Sequence, residues 1–423
     1  MFEASVKRIS YILLVIGSLV SSSINAQWND AMVQVPAQKN FVGGVYGSAD
    51  ANSTCITSSF AVNILLGNYI GDNLKQQVES NLGKFNRIGY NLNYGIYGVW
   101  HNDSIQTRVF NFFFAIRHKS YLNTDFSRDV FNMAFYGNAM YAGQTAKLVP
   151  FSLNMSSYQQ AEIGMVVTNF GGKGVFGIGL SFLTGQQLLA INAQNATLYT
   201  DPTGQSLQFN TNTEMFQSDT AANKRPVNGY GASMDLYFKA PLKLGKRNST
   251  ISFSLTDVGF MFWNNKSLYY HKDTAYHYDG VSINNITDLQ NVSFNSTSKD
   301  SVQNKYLPFA KKSFFYSIPS TLSINSNTDF GKYHLELGYW YMFNANAVGY
   351  YYVQGDKYLA NNWMAAAQLG FGGYGTVNAE LMLSKQTAKS TFKVALDHIQ
   401  GLILPTYFGG AGLYLEYLHT IGK

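Results

Sequence analysis

The sequence predicts an all-β fold, a transmembrane antiparallel up-and-down β-barrel of about 14–16 strands, on the basis of three observations. Apolar and polar side chains alternate over segments that match the roughly 9–11 residues of a tilted transmembrane strand. Charged residues make up only 13% of the 423 residues, against roughly 25% in a soluble protein. The mean hydropathy is close to neutral, as expected when one strand face contacts lipid and the other a polar lumen.

The N-terminal region predicts a secretory signal peptide over residues 1–26. Lys7 and Arg8 precede an apolar stretch, and Ala26 is a small residue suited to the position before a cleavage site. The apolar stretch is shorter than the roughly 20 residues of a transmembrane helix, although an uncleaved N-terminal anchor is the alternative. Residues 27–423 are therefore expected to form a single outer-membrane β-barrel domain, with long loops near residues 185–228 and 264–312.

The strand pattern is clearest in residues 88–100, where Ile88, Tyr90 and Leu92 share one face and Asn91 lies on the other. Period two is the signature of a strand with two different faces. The same alternation recurs in residues 109–118, 161–168, 175–183, 232–239, 251–256, 333–344, 363–371, 377–384, 392–399 and 413–421.

Parity then constrains the count, because bacterial barrels have an even number of strands. Residues 348–354 are added as a further strand, so that the long second loop lies on the side away from the termini. Residues 41–47 form either a strand or an inner plug segment, which leaves 16 or 14 strands as the two expectations, each of them about the size of known barrels. Residues 72–82 predict a short helix.

Ionisable residues within the strands are the candidate functional residues. A charge on the lipid face near the midplane costs roughly 2–4 kcal/mol, so these side chains are expected to point into the lumen. There they either connect the lumen by salt bridges or line a conducting or binding path. The lumen-lining candidates are Glu162, Asp235, Lys239, Glu336, Glu380, Lys393, Asp397 and Glu416.

Two further expectations concern strand ends and strand register. Trp100, Trp263 and Trp363 lie where strands meet polar residues, which is typical of an aromatic girdle at the lipid head groups; ordinary strand-end packing is the alternative. A hairpin centred between residues 386 and 387 would place Glu380 directly opposite Lys393, close enough for an ion pair.

Motifs for catalysis or cofactor binding are missing from the sequence. The single cysteine, Cys55, excludes an internal disulfide and predicts a packed, inert thiol. A nucleophile elbow, an H-E-x-x-H motif and a phosphate-binding loop are absent, so no catalytic residue, metal or cofactor is predicted. The one ligand-like set, His271, Asp273, His277 and Asp279, lies in a polar segment and forms either a metal site or a solvated loop.

Several segments carry a family resemblance. Residues 112–118, 126–135 and 404–418, with Pro405 and Gly409 in the last, resemble an uncharacterised family of outer-membrane barrels of the Bacteroidota. More loosely, the chain is similar to the PorP/SprF proteins of type IX secretion and to the FadL-type channels for hydrophobic substrates. The resemblance implies an outer-membrane barrel. Such barrels commonly end on an aromatic residue, whereas the nearest aromatic before the C-terminus here is Tyr417.

These observations leave two non-enzymatic functions open. A channel for small or hydrophobic substrates needs an opening through or beside the lumen. A scaffold in a type IX secretion or surface-attachment machine needs a blocked lumen and a contact surface for a partner protein. The alternative from another class is an outer-membrane lipase-like enzyme, with a Ser/His/acid group at the rim. Outer-membrane lipid is the expected neighbour in each case. Nucleic acid is not an expected partner, because the net charge is +6 but the sequence contains no Lys/Arg cluster of the kind found in nucleic-acid binders.

Overall fold

Fourteen antiparallel strands close into a β-barrel, the lower of the two predicted numbers. The computed structural model describes residues 41–100, 109–170, 173–219, 227–278 and 309–422, and the predicted signal peptide lies outside these ranges. Each wall strand pairs with its neighbours along the wall, and the last pairs with the first. The wall strands are β1 (Phe41–Ser53), β2 (Asn86–Trp100), β3 (Val109–Phe126), β5 (Phe151–Phe170), β6 (Gly174–Thr200), β8 (Gly229–Leu244), β9 (Arg247–Trp263), β13 (Ser320–Asp329), β14 (Tyr333–Phe343), β15 (Val348–Tyr358), β16 (Trp363–Gly373), β17 (Val377–Gln386), β18 (Ser390–Asp397) and β19 (Ala411–Ile421).

Two strand predictions are resolved by the pairing. The added strand at residues 348–354 is confirmed as part of β15, which pairs with β14 and β16. The plug interpretation of residues 41–47 is wrong, because they belong to β1 and pair with both β2 and β19. This pairing closes the wall, and a closed wall leaves no strand edge exposed to lipid.

Five shorter or protruding strands complete the sheet. They are β4 (Gln144–Lys147), β7 (Leu207–Gln217), β10 (Leu268–Tyr278), β11 (Ala310–Lys311) and β12 (Phe314–Ser317). The expectation of a plain loop over residues 185–228 is therefore wrong, since β6 runs on to Thr200 and pairs with β7, which pairs with β10. Polar side chains do not prevent a ladder, because the backbone alone supplies its hydrogen bonds. Of the second predicted loop, residues 279–308 lie outside the described residues.

The barrel has two unlike rims. At the terminal rim, β1 begins, β19 ends, and tight turns join β8 to β9, β13 to β14 and β17 to β18. The helical rim at the other end carries α1 (Ser58–Leu65), α2 (Asp72–Asn81), α3 (Arg128–Tyr136) and α4 (Ile399–Ile403). The predicted helix at residues 72–82 is confirmed by α2. None of the described helices is both long and apolar enough to span a bilayer.

Alternation along each strand separates an apolar exterior from a packed interior. In β5, Ile163 points outward and is 71% exposed, while its neighbour Glu162 is 1% exposed. Inside, buried aromatic and apolar side chains form two clusters that join distant strands. The first, in the helical half of the barrel, includes Tyr121, Tyr158, Met261, Trp263 and Trp340. The second, in the terminal half, includes Tyr46, Tyr97, Phe113, Tyr237 and Tyr414.

Candidate functional site

A layer of buried charges lies at mid-height in the lumen, between the two aromatic clusters. It consists of Arg117 and Lys119 on β3, Glu162 on β5, Asp235 on β8 and Asp257 on β9, here called the charged layer. Along β3 it falls between Phe113 of the aromatic cluster in the terminal half and Tyr121 of the aromatic cluster in the helical half. A charge at this depth is costly unless it is paired, so its contacts decide what the lumen can do.

Ion pairs and one amide connect the members of the charged layer. Arg117 Nη1 lies 2.6 Å from Glu162 Oε2 and 3.9 Å from an oxygen of Asp235. Lys119 Nζ lies 2.5 Å from Asp257 Oδ2. The other Asp257 oxygen accepts a hydrogen bond from Gln160 Nε2 at 3.0 Å. Because β3 and β9 are separated along the wall by β5, β6 and β8, the contact between Lys119 and Asp257 crosses the lumen.

A β-bulge in β9 directs Asp257 into this layer. Met234 pairs with Val258 and Leu236 pairs with Leu255, so Thr256 and Asp257 together oppose the single residue Asp235. Asp257 has a positive φ of 60°, a conformation that aspartate tolerates better than most residues. Its backbone N–H donates to Asp235 Oδ1 at 2.6 Å. The bulge therefore positions two carboxylates side by side.

The lumen contains many more buried carboxyl groups than buried basic side chains. Nine carboxylates are buried among the described residues, against two buried permanent cations, Arg117 and Lys119. The nine are Asp50, Glu162, Asp235, Asp257, Glu336, Asp356, Glu380, Asp397 and Glu416. An acidic lining of this kind favours cations over anions in a pore.

Tyrosine hydroxyls, as well as basic side chains, stabilise several of these carboxylates. The same arrangement recurs in four places, with a buried tyrosine donating to a lumen carboxylate at 2.7–3.1 Å. A hydrogen bond to a charged group contributes about 1.5–3 kcal/mol. The pairs are Tyr97 with Glu416, Tyr237 with Asp235, Tyr350 with Glu380 and Tyr352 with Glu336.

Glycines on the adjoining strands make room for these rings. Gly44 is directly opposite Tyr97, and Gly338 is directly opposite Tyr352. A Cβ atom at position 44 would lie 2.5 Å from the Tyr97 ring, and one at position 338 would lie 2.1 Å from the Tyr352 ring. Each ring therefore lies flat over a glycine of the wall, which fixes where its hydroxyl points.

The predicted lumen residues occupy the inner face to different depths. Lys239 and Lys393 are partly exposed, while six of the eight are buried: Glu162, Asp235, Glu336, Glu380, Asp397 and Glu416. The predicted ion pair between Glu380 and Lys393 is wrong. The turn lies two residues further along, so Ser384 is opposite Lys393. Lys393 instead binds Glu416 on β19, at 2.9 Å.

Three members of the charged layer were missed by sequence reasoning. Arg117 follows the outward-facing Ile116 in the segment 109–118, already predicted as a strand, so period two could have identified it; Lys119 is the next inward position, one residue beyond that segment. Asp257 could not be found in this way. Counting from Ile251 and Phe253, which point outward, it falls on the lipid face, and only the bulge turns it inward.

The prediction of an aromatic girdle is wrong for Trp263, and the cause is again the bulge in β9. Trp100 and Trp363 are 51% and 39% exposed at the terminal rim, whereas Trp263 is 2% exposed inside the lumen. Beyond the bulge, the even-numbered residues of β9 point outward and the odd-numbered ones inward, the reverse of the order before it. Trp263 is consequently packed in the aromatic cluster of the helical half.

A second polar cluster lies inside the helical rim. His398, in a left-handed conformation with φ 54°, follows β18 directly. Its Nε2 lies 2.5 Å from Asp50 Oδ1, and its Nδ1 lies 2.9 Å from Asn378 Oδ1. Burial alone lowers the pKa of His398, but the charge of Asp50 and the hydrogen bond to it outweigh burial and raise the pKa. The imidazolium thus anchors the segment that carries α4 to β1 and β17.

The remaining sequence candidates do not converge on a reactive site. His271, Asp273 and His277 lie exposed on β10, Asp279 is outside the described residues, and the described part of the chain contains no metal-binding group of three. A serine and a histidine do meet at the terminal rim, where Ser390 Oγ lies 2.9 Å from His419 Nδ1. Among the described residues His419 forms no ion pair with a carboxylate, the group that orients a catalytic histidine in a hydrolase triad.

The sequence matches one protein family, and its fold is similar to those of several outer-membrane barrels. Among solved structures, a TodX monoaromatic hydrocarbon channel with the deltaS2S3 mutation is similar at 8% identity, with 92% of each chain covered and a TM-score of 0.46. The toluene transporter TodX of P. putida gives 8% identity, 93% and 92% coverage and a TM-score of 0.40. OmpF of Salmonella typhi, in a complex with daunomycin, gives 9% identity, 91% and 98% coverage and a TM-score of 0.26.

These scores are too low to assign a function. None of the curated proteins matches the sequence significantly. The model of a family of unknown function, DUF5723, matches residues 29–391, which span nearly all of the barrel wall. The chain belongs to this DUF5723 family.

Proposed function

We propose that this protein is a non-enzymatic outer-membrane barrel that acts as a gated channel with a preference for small cations or cationic solutes. The observation that carries the proposal is the charge of the lumen, with nine buried carboxylates against two buried permanent cations among the described residues. Ionisable groups at membrane depth are costly, and in membrane proteins they commonly mark ion or substrate pathways. The tight turns of the terminal rim suit the periplasmic side, and the helical rim suits the exterior.

The gate in this proposal is the charged layer. Its contact between Lys119 and Asp257 joins two strands that are four positions apart along the wall, and it lies between the two aromatic clusters. A second crossing lies nearer the helical rim, where Asn346, in the turn after β14, donates to Ser152 Oγ on β5 at 2.7 Å. In this proposal a solute passes only when these contacts open, because they join separate parts of the wall across the lumen.

The test is conductance of the purified barrel in planar lipid bilayers under a potassium chloride gradient. Asp257→Asn removes the charge that binds Lys119, while asparagine tolerates the left-handed backbone at this position. We expect the open probability of this variant to rise severalfold, with a reversal potential that indicates cation preference. Glu162→Gln should reduce that preference, because it removes one carboxylate of the layer.

The matched control is Asp273→Asn, which removes an exposed carboxylate on the protruding strand β10. It should leave conductance and selectivity unchanged. A barrel that stays silent in every variant, although it is folded and inserted, would refute the channel proposal.

A scaffold role is the second candidate, and a specific surface favours it. The helical rim exposes apolar side chains on two adjoining segments, with Tyr69 86% exposed and Ile403 and Tyr407 each 70% exposed. Backbone hydrogen bonds join these segments, since the N–H of Ser59 donates to the carbonyl of Pro405 at 2.8 Å. An exposed apolar rim of this kind suits a protein partner. The resemblance to the PorP/SprF proteins of the Bacteroidota supports a partner in a secretion or surface machine.

The two candidates make different predictions for one variant. Tyr69→Ser combined with Tyr407→Ser removes the two most exposed aromatic rings among the described residues of the helical rim. If the scaffold role holds, this double variant should lower the surface delivery of secreted proteins in the native host while leaving bilayer conductance unchanged. Unchanged surface delivery, with the barrel present at normal levels, would contradict the scaffold role.

A further inference from the structure

An apolar groove of about 620 Å³ lies on the outward face of the wall, between β14 and β17 near the terminal rim. Its floor is formed by three small outward residues, Gly355, Ala365 and Ala367, while Leu335 and Leu381 form its sides. Elsewhere on the same strands the outward positions carry large side chains, as with Leu369 and Phe371. The groove has the volume of a small-molecule site, roughly 300–1,000 Å³.

Two cations lie on the terminal-rim side of the groove, Lys357 in its lining and Arg247 beside the lining residue Phe330. Phe330 and Tyr333 line the groove on the terminal-rim side. Lys357, which also lines the groove, places Nζ 5.2 Å from the centre of the Tyr333 ring. The guanidinium of Arg247 lies 4.1 Å from the centre of the Phe330 ring. Both rings hold a positive charge by cation–π contact at the level where a membrane strand meets the head groups.

These cations remain available to an anion. Neither Lys357 nor Arg247 forms an ion pair with any described residue. The nearest carboxylates are engaged in other contacts. Asp356, which belongs to the groove lining, is buried and lies 2.9 Å from His334 Nδ1, and Asp329 accepts the N–H of Gly331 at 2.6 Å. An apolar groove with two cations at one end, neither of them in an ion pair, is complementary to an acyl chain that ends at a phosphate.

We propose that this groove is a specific binding site for an anionic glycerophospholipid, with one acyl chain along the groove floor and the phosphate at the end where Lys357 and Arg247 lie. The proposal rests on the barrel lying in a lipid bilayer, and it is independent of what passes through the lumen. The bound lipid would cover the gap that Gly355, Ala365 and Ala367 leave in the apolar wall, and so continue the surface of the neighbouring strands.

The test is native mass spectrometry of the delipidated barrel, titrated with phosphatidylglycerol and, separately, with phosphatidylcholine and inorganic phosphate. The unmodified protein should bind phosphatidylglycerol more tightly than phosphatidylcholine. Inorganic phosphate, which has no acyl chain, should not bind detectably. Ala367→Leu should weaken phosphatidylglycerol binding about tenfold, because the new side chain fills the groove. Lys357→Gln should weaken it roughly fivefold and remove the preference over phosphatidylcholine.

Two controls match these variants. Ala232→Leu adds the same side chain at another exposed, outward alanine, and Lys243→Gln removes another exposed lysine near the terminal rim. Neither should change lipid binding, and an unheated gel shift should verify that every variant is folded. Equal binding by Ala367→Leu and the unmodified protein, or an equal loss in Ala232→Leu, would overturn the site and indicate ordinary annular lipid. A silent bilayer recording would leave this result unaffected, so the two proposals fail separately.

Discussion

Replacement of Gly44 by alanine should destabilise the barrel far more than the same replacement at Gly47 in the same strand. A Cβ atom at position 44 would lie 2.5 Å from the Tyr97 ring, whereas one at position 47 would meet only the Cβ of Tyr94, at 3.8 Å. Ordinary contact begins at 3.4 Å, so the Tyr97 ring must move by about 0.9 Å, the difference between the two values. Gly47 needs no such shift.

The cost of that shift can be worked from the contacts of Tyr97. Its hydroxyl donates to Glu416 Oε1 at 2.8 Å, and moving the ring away from the wall stretches or breaks this bond. Loss of a hydrogen bond to a buried carboxylate costs about 1.5–3 kcal/mol, and overpacking costs about 1–3 kcal/mol more. We expect Gly44→Ala to lower the free energy of unfolding by roughly 3–5 kcal/mol. Gly47→Ala should be neutral or slightly stabilising, since alanine restricts the unfolded chain more than glycine does.

The assay is urea unfolding of the barrel in lipid vesicles, followed by the loss of its unheated gel shift. A double-mutant cycle isolates the ring contact, because Gly44→Ala should cost little once Tyr97→Ala has removed the ring. Equal stability of the two glycine variants would refute the reasoning. So would an undiminished cost of Gly44→Ala in the Tyr97→Ala background, since the destabilisation would then not arise from the ring.

Three further predictions concern segments outside the wall strands. The exported protein should begin at Gln27, as N-terminal sequencing of outer-membrane fractions would reveal; an intact signal segment would favour the anchor alternative. Burial raises the pKa of the Cys55 thiol to about 11, so maleimide should label it at neutral pH only after unfolding, and rapid labelling of the folded barrel would contradict this packing. The pKa of His398 is raised above its ordinary value, with burial opposed by the charges of Asp50 and Asp397. Its stabilisation is therefore complete below about pH 6.5 and is lost as pH rises through the raised pKa. The protection factors of residues 399–410 against hydrogen exchange, corrected for base catalysis, should fall over that range, and Asp50→Asn should remove this dependence.

The sequence predicts the faces of the strands better than their partners. In β14, for example, Leu337 is exposed on the outer face while Glu336 and Trp340 are buried on the inner face, as alternation alone requires. Face depends only on the local period of two, which every residue of a strand carries. The tyrosine–carboxylate pairs could not be found in this way, because they form between strands and depend on register.

Register was the weaker inference, and its error had a limited effect. The predicted hairpin placed Glu380 opposite Lys393, whereas the structure pairs Leu381 with Leu396, so the residue numbers of each pair sum to 777 instead of 773. A shift by an even number leaves every side chain on its predicted face. Asp397 therefore remains inside the barrel and fully buried, and only the partner of Lys393 changes, from Glu380 to Glu416.

An odd shift has the opposite consequence, and β9 contains one. The extra residue of the bulge at Thr256 and Asp257 reverses the alternation for the rest of the strand. That single residue turns Asp257 toward Lys119 and carries Trp263 from the expected lipid girdle into the lumen. Both failures of the sequence interpretation in this strand thus have one cause, a backbone irregularity that period two cannot express. Because the bulge directs Asp257 to Lys119, the residue that sequence reasoning misplaced is the one that closes the proposed gate.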